Sequence, residues 1–178
     1  MLCLFLRYKW DSRSPSKPYL INQINTLQIK KEIQQAKQIA DVVVLSLHFG
    51  TEYERLPNAE QVQLAKDFAN QGADIIIGTH PHVLQPMTFI EREDGQRSLV
   101  IYSLGNFLSA QDKLYTKIGG IARIQVVKST HHHKSRISLQ HPTFLPTYTT
   151  YHNWRDFRVI PLQPLANRNM QYKEIQNI

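Results

Sequence analysis

Three imidazoles and one carboxylate fall in two short segments, Leu47-His48-Phe49-Gly50-Thr51-Glu52 and Gly78-Thr79-His80-Pro81-His82. Imidazole nitrogen combined with carboxylate oxygen suits zinc, iron or manganese. His80 and His82 stand two apart, so in an extended segment both rings point to one side and can reach the same or adjacent ions, with Pro81 stiffening the backbone between them. A lone histidine near a strand end is by default a satisfied core or surface residue. Three of them past two strand ends, each beside a small turn-permitting residue, point instead to a metal or phosphate site. His131-His132-His133 does not. Neighbours in an extended chain face opposite sides, and the flanking Lys128-Ser129-Thr130 and Lys134-Ser135-Arg136 read as a solvated hairpin loop. His141 and His152 read as ordinary surface or hairpin residues.

The elements that must hold these groups are legible around them. Asp41 to His48 is a nearly continuous aliphatic, β-branched run, as in a strand covered on both faces of a parallel sheet, and Ala73 to Gly78 is a second. Leu2 to Leu6 reads as a short buried strand that includes Cys3, followed by a proline-punctuated polar loop. From Asn25 or Thr26 as N-cap, Ile29, Ile33, Ala36 and Ala40 form one apolar helical face. Asn58 with Gln61 three residues on marks a second helix with Val62, Ala65, Phe68 and Ala69 on its face and Gly72 as terminator. The order β-α-β-α-β winds right-handed into a parallel sheet, and ligands of such sheets bind beyond the carboxyl ends of the strands, where both histidine segments lie. After Pro86 the pattern turns antiparallel: Met87 to Arg92 and Arg97 to Tyr102 flank an Asp94-Gly95 turn, and Gly120 to Val127 and Arg136 to Phe144 alternate around a polar turn. From Gln163 the periodicity is weak, so 163–178 is expected to be a weakly ordered tail.

Composition narrows the partners. The 178 residues carry a formal charge of +7, which favours acidic partners such as an anionic polymer or a phosphorylated small molecule. The basic residues are scattered, without the aromatic interleaving that stacks bases, and this argues against nucleic acid. One cysteine excludes an internal disulfide framework and a thiolate metal cluster. The apolar run Met1 to Leu6 is shorter than the core of a signal peptide or a membrane span, so no exporting or anchoring segment is expected from these residues.

The stretch from Ala40 to Phe107 resembles the CapA capsule-synthesis (poly-γ-glutamate) family. Its motifs are an aliphatic strand ending in His-Trp-Gly-x-Glu, a Gly-Ala-Asp strand ending in Gly-x-His-Pro-His, and Tyr-Ser-Leu-Gly-Asn-Phe. Here they read His48-Phe49-Gly50-Thr51-Glu52, Gly72-Ala73-Asp74 with Gly78 to His82, and Tyr102-Ser103-Leu104-Gly105-Asn106-Phe107; Phe49 in place of tryptophan is the one departure. That family is similar to the calcineurin-like metallophosphoesterases, so the resemblance implies half of a metallophosphoesterase-like α/β sandwich, with residues 1–162 as the C-terminal part of a CapA-type domain. It further implies His48, His80 and His82 as ligands of divalent Mn, Fe or Zn, two ions in the full family site, and His48, Glu52 and Asn106 as catalytic candidates. Glu52 is then a hydrogen-bond partner of a ligand imidazole, a substrate contact or a solvated loop carboxylate. Asn106 donates to a substrate oxygen or closes a turn.

The family's N-terminal half carries a Gly-Asp pair and a Gly-Asn-Asn-His segment that do not occur here, so the metal centre is expected to be incomplete on these residues alone and the sheet to end in an unpaired edge. Two functions follow: a metal-dependent hydrolase acting on an anionic cell-envelope polymer or its phosphorylated precursor, and a non-catalytic module for assembling or exporting such a polymer alongside capsule-synthesis membrane proteins. The resemblance also implies an extracytoplasmic or membrane-associated setting.

Overall fold

The computed structural model describes residues 3–9, 22–131, 134–162 and 170–171. The first half runs β1 (Cys3–Lys9), α1 (Thr26–Ile39), β2 (Val42–His48), α2 (Ala59–Asn70) and β3 (Ile75–Thr79). The second runs β4 (Leu84–Glu91), β5 (Arg97–Leu104), a 3-10 turn (Leu114–Lys117), β6 (Ile118–His131), β7 (Lys134–His152), β8 (Arg155–Pro161) and β9 (Met170–Gln171).

Both helices start on the expected caps. The Asn25 side chain accepts from the Gln28 N–H at 3.1 Å, and α1 buries Ile29, Ile33 and Ala36. At α2 the reciprocal bonds of a capping box join Asn58 and Gln61. One residue of that face is corrected: Val62 is 42% exposed, and Gln61 is buried in its stead. The inward stripe is Gln61, Ala65, Phe68 and Ala69, spaced i, i+4, i+7 and i+8, and Val62 lies about 100° around the helix from its preceding neighbour.

Five strands form the central sheet in the order β1-β2-β3-β5-β4. β1, β2, β3 and β5 run parallel, while β4 is antiparallel to β5. The parallel part and the antiparallel hairpin turning near Gly95 are as read from sequence, and β5, the second strand of that hairpin, also enters the parallel sheet beside β3. Its composition explains why. Val100 and Tyr102 pack toward one face and Leu99 and Ile101 toward the other, so β5 needs cover on both sides. β1 lies at one end of the strand order, and among the described residues no strand pairs its outer side.

The sheet is the middle of three layers. On one face α1 and α2 pack through Ile29, Ile33, Ala65 and Phe68 against Leu45, Leu47 and Ile76. On the other, Val42, Val44, Ile75 and Met87 meet Leu139 and Phe144 of a second, antiparallel sheet made by β6, β7 and β8, with β9 paired to β7. The alternation along β2 fits this division, with Val42 and Val44 in one core and Leu45 and Leu47 in the other. β6 and β7 extend well beyond the stretches whose alternation marked them, and β8 had no sequence signal strong enough to name it. Of the histidine run, His131 ends β6 at an exposed position, and His132 and His133 lie outside the described residues. The expected tail also lies outside them, save for Met170 and Gln171, which pair with Phe144 and Thr143. Among the described residues no helix is long and apolar enough to cross a membrane.

Candidate metal centre

Parallel pairing delivers the two histidine segments to one rim. His48 is the last residue of β2 and stands in register with Thr79, the last residue of β3, so His80 follows at the same height. The Thr79 hydroxyl donates to the Leu47 carbonyl at 3.3 Å and lies 3.4 Å from His48 Nδ1. The His48 and His80 rings stand 4.6 Å apart centre to centre, and those of His80 and His82 5.9 Å. The ligand atoms of Glu52, His80 and His82 all lie within 4.8 Å of one another, and His48 stands beside this trio, against His80. Two imidazoles and a carboxylate at that spacing fit a divalent zinc, iron or manganese ion.

The rings converge by a route other than strand alternation. After β3 the chain is not extended: φ is +109° at His80 and +60° at His82. Side chains of L-residues disfavour this region, at about 1–3 kcal/mol each. Such backbone persists only where its surroundings hold it, and here the loop after β2 does so. The Phe49 N–H donates to the Thr79 carbonyl at 3.0 Å and the Tyr53 N–H to the Pro81 carbonyl at 2.8 Å. Tyr53 is itself left-handed, at φ +67°, and its ring lies 6.1 Å from that of His82.

Beneath that loop runs a buried chain of amides. The Asn58 N–H donates to Gln61 Oε1 at 3.0 Å, and Gln61 Nε2 donates to Gln85 Oε1 at 2.9 Å. Gln85 Nε2 in turn donates to the carbonyls of Glu54 and Leu56 at 2.9 and 3.1 Å. The loop that carries Glu52 is thereby tied at Glu54 and Leu56 to residues on α2 and β4. Two motif glycines have backbone reasons. A Cβ at Gly78 would sit 1.9 Å from the Tyr102 carbonyl oxygen, and one at Gly50, where φ is +100°, would meet the Gln61 side chain at 2.5 Å.

Asn106 fixes the tautomer of His82. Its Nδ2 donates to the Thr116 carbonyl at 3.0 Å and to Gln111 Oε1 at 3.1 Å. This turns Oδ1 toward His82 Nδ1, 2.9 Å away. An amide oxygen can only accept, so Nδ1 carries the proton and Nε2 the lone pair. That Nε2 is 3.9 Å from Glu52 Oε1, too far for a hydrogen bond and suited to two ligands of one ion. Both Asn106 amide protons are engaged within the chain.

The Asp of the Gly72-Ala73-Asp74 motif lies at the other end of β3, away from this rim. Its buried carboxylate accepts from the Val43 N–H at 2.8 Å and pairs with Arg92 at 3.2 Å and Lys37 at 3.1 Å, tying two strands and α1 together. Tyr102 points into the helix-side core, where burial pushes its hydroxyl above the usual 10.0 and keeps the proton on it. Sequence reasoning gave Tyr53 and Gln85 no part and read Gln61 as a cap alone. No local pattern singles them out: Gln61 is a polar residue expected at a capping-box position, and Tyr53 and Gln85 fall outside the elements read from sequence.

Residues 7–111 match the family described as Bacterial capsule synthesis protein PGA_cap. A PGA biosynthesis protein CapA of Bacillus subtilis (strain 168) is 42% identical over 97 residues, covering 54% of this chain and 24% of the relative. A capsule biosynthesis protein CapA of Bacillus anthracis is 42% identical over 90 residues, covering 51% of this chain and 21% of the relative. The matched stretch thus spans no more than about a quarter of those proteins' lengths. The family match over residues 7–111 includes every residue of the trio, His48 and Asn106, and with more than half of its length matched the chain belongs to the bacterial capsule synthesis protein PGA_cap family.

Proposed function

We propose that this chain contributes to the synthesis of an acidic capsule polymer through a divalent-metal site of metallophosphoesterase type, held by Glu52, His80 and His82, that performs hydrolytic chemistry on an anionic substrate. The observation that carries the reading is the convergence of those three ligand atoms within 4.8 Å at the carboxyl rim of the sheet. A divalent ion there would polarise a phosphoryl or carbonyl oxygen and acidify water. Asn106 keeps the proton on Nδ1 of His82, so that Nε2 is presented as a ligand. Tyr53 and the Gln61–Gln85 amides hold the Glu52 loop over the turn that carries the imidazoles. His48, against the His80 ring, serves either as a ligand to a second ion or as the proton carrier.

Metal content and aryl-phosphate hydrolysis of the wild type, of a His80→Ala, His82→Ala double variant and of His48→Ala test this. The double variant should lose both metal and activity. His48→Ala should lower metal stoichiometry if His48 is a ligand, and lower rate alone if it moves protons. Equal metal content in wild type and double variant removes the site. Metal bound without turnover on any phosphate or amide substrate selects the non-catalytic assembly module instead.

A further inference from the structure

Asn106 presents Oδ1 to His82 because its amide protons are taken by two acceptors, and both acceptors are held from outside the site. They are Gln111 Oε1 at 3.1 Å and the Thr116 carbonyl at 3.0 Å. Each stands next in sequence to one member of an ion pair. Gln111 precedes Asp112, Thr116 precedes Lys117, and Lys117 Nζ lies 3.0 Å from Asp112 Oδ1. Tyr151 of β7 engages both members: its hydroxyl donates to Asp112 Oδ1 at 2.6 Å, and Lys117 Nζ lies 4.8 Å from its ring centre. The same hydroxyl oxygen is 3.5 Å from the Ala110 carbonyl, so it meets the residues on either side of Gln111. Two residues earlier on β7, the Thr149 hydroxyl donates to the carbonyl of Phe107, the residue after Asn106, at 3.3 Å. The turn that presents the Thr116 carbonyl is closed by the Thr116 N–H and hydroxyl, which donate to the Lys113 carbonyl at 3.0 and 2.8 Å.

From this geometry we infer that Tyr151, acting through Asp112 and Lys117, is a positioning residue of the metal centre: it sets the amide of Asn106 and thereby decides which nitrogen of His82 carries the proton. The inference rests on the metal-site reading for its consequence, but the tautomer itself is readable without metal. A neutral imidazole in water favours the proton on Nε2, and here that is the nitrogen facing Glu52. The opposite tautomer has to be imposed, and an amide oriented by two fixed acceptors imposes it. Turned over, Asn106 would set Oδ1 against the Gln111 and Thr116 oxygens and offer Nδ2 to His82, which would send the proton to Nε2. An exposed ion pair stabilises a fold little, and the Asp112 side chain is 74% exposed, so the effect of this pair lies in placement. The cluster also titrates as one that is held. The bond from Tyr151 keeps the Asp112 carboxyl below the usual 3.8, and bonding to Asp112 raises Lys117 above 10.5 and Tyr151 above 10.0. All three residues lie beyond the stretch 7–111 matched to the family.

The test reads the tautomer directly. Long-range proton–nitrogen-15 spectra of the metal-free full chain are recorded at about pH 8.5, well above the usual imidazole pKa of about 6.5, and the His82 signals are assigned by their loss in His82→Ala. Wild type should carry the proton on Nδ1. Tyr151→Phe keeps the ring beside Lys117 and removes only the hydroxyl; it should show a mixture with Nε2 and bind Zn2+ about three- to ten-fold more weakly, less than the loss from removing a direct partner. Asp112→Ala should shift the tautomer in the same direction, and the double variant should go no further than the larger single effect, since both act by one route. Lys30→Gln breaks the Lys30–Asp67 pair between the helices and serves as the stability control, with urea unfolding read on every sample; its His82 should match wild type. An unchanged tautomer in Tyr151→Phe, additive shifts in the double variant, or an equal shift in Lys30→Gln overturns the inference. If wild type binds no Zn2+ yet the tautomer shifts in Tyr151→Phe, the metal reading has failed and the positioning assignment stands.

Discussion

Replacing Asn106 by alanine separates two tasks that one side chain performs. The substitution removes the acceptor 2.9 Å from His82 Nδ1 and, at once, the donors to the Thr116 carbonyl and Gln111. Without the acceptor, either His82 nitrogen can carry the proton and the ring can turn. Loss of such a partner typically weakens metal binding about 10- to 100-fold, or about 1.4–2.7 kcal/mol. Loss of the two donated bonds should lower stability by about 1–3 kcal/mol, because each intramolecular bond contributes about 0.5–1.5 kcal/mol. Asn106→Asp provides the contrast. It keeps an oxygen for His82 but sets a carboxylate against the Thr116 carbonyl, so stability should fall while metal affinity stays near the wild-type value or rises. Calorimetric titration with Zn2+ or Mn2+ gives the affinity, and urea unfolding of metal-free protein gives the stability. Wild-type affinity in Asn106→Ala, or equal losses of affinity in the two variants, would refute the tautomer argument.

Other substitutions probe the frame that carries the site. Gly78→Ala places a Cβ 1.9 Å from a backbone oxygen that cannot move without breaking the β3–β5 pairing, so it should lower stability by about 3 kcal/mol or more, visible as an early urea midpoint. Asp74→Ala leaves the Arg92 guanidinium, only 2% exposed, without its buried partner; a loss of about 3–5 kcal/mol is expected, with metal binding by the surviving folded fraction unchanged. The hydrogen bond from Tyr151 and the nearby Lys117 hold the Asp112 carboxyl below the usual 3.8. A depressed carboxylate stabilises the fold above its unfolded pKa and loses that effect as pH falls through the folded value. The difference in Tm between wild type and Asp112→Asn should therefore be open at about pH 6 and close as the pH drops below 3.8. A difference unchanged down to pH 2 would contradict the pairing.

Sequence by itself determined the parts whose signal is local. The β-branched run of β2, the Asn25 and Asn58 caps and the 3.6-residue stripe of α1 each encode their element within a few residues, because capping and periodicity act over one or two turns. It also marked His48, His80 and His82 as residues leaving two buried strands at one edge, since parallel neighbours end on the same side. Tertiary structure decided what depends on partners distant in the chain. It placed β5 beside β3, turned Val62 outward in favour of Gln61, and set His80 and His82 in left-handed backbone where alternation predicted an extended segment. It also brought Glu52 to the imidazoles and Asn106 to His82 across 24 residues of sequence. The reason is common to all of these: strand neighbours, buried amides and strained backbone are settled by contacts between elements, and no short window of residues contains both sides of such a contact.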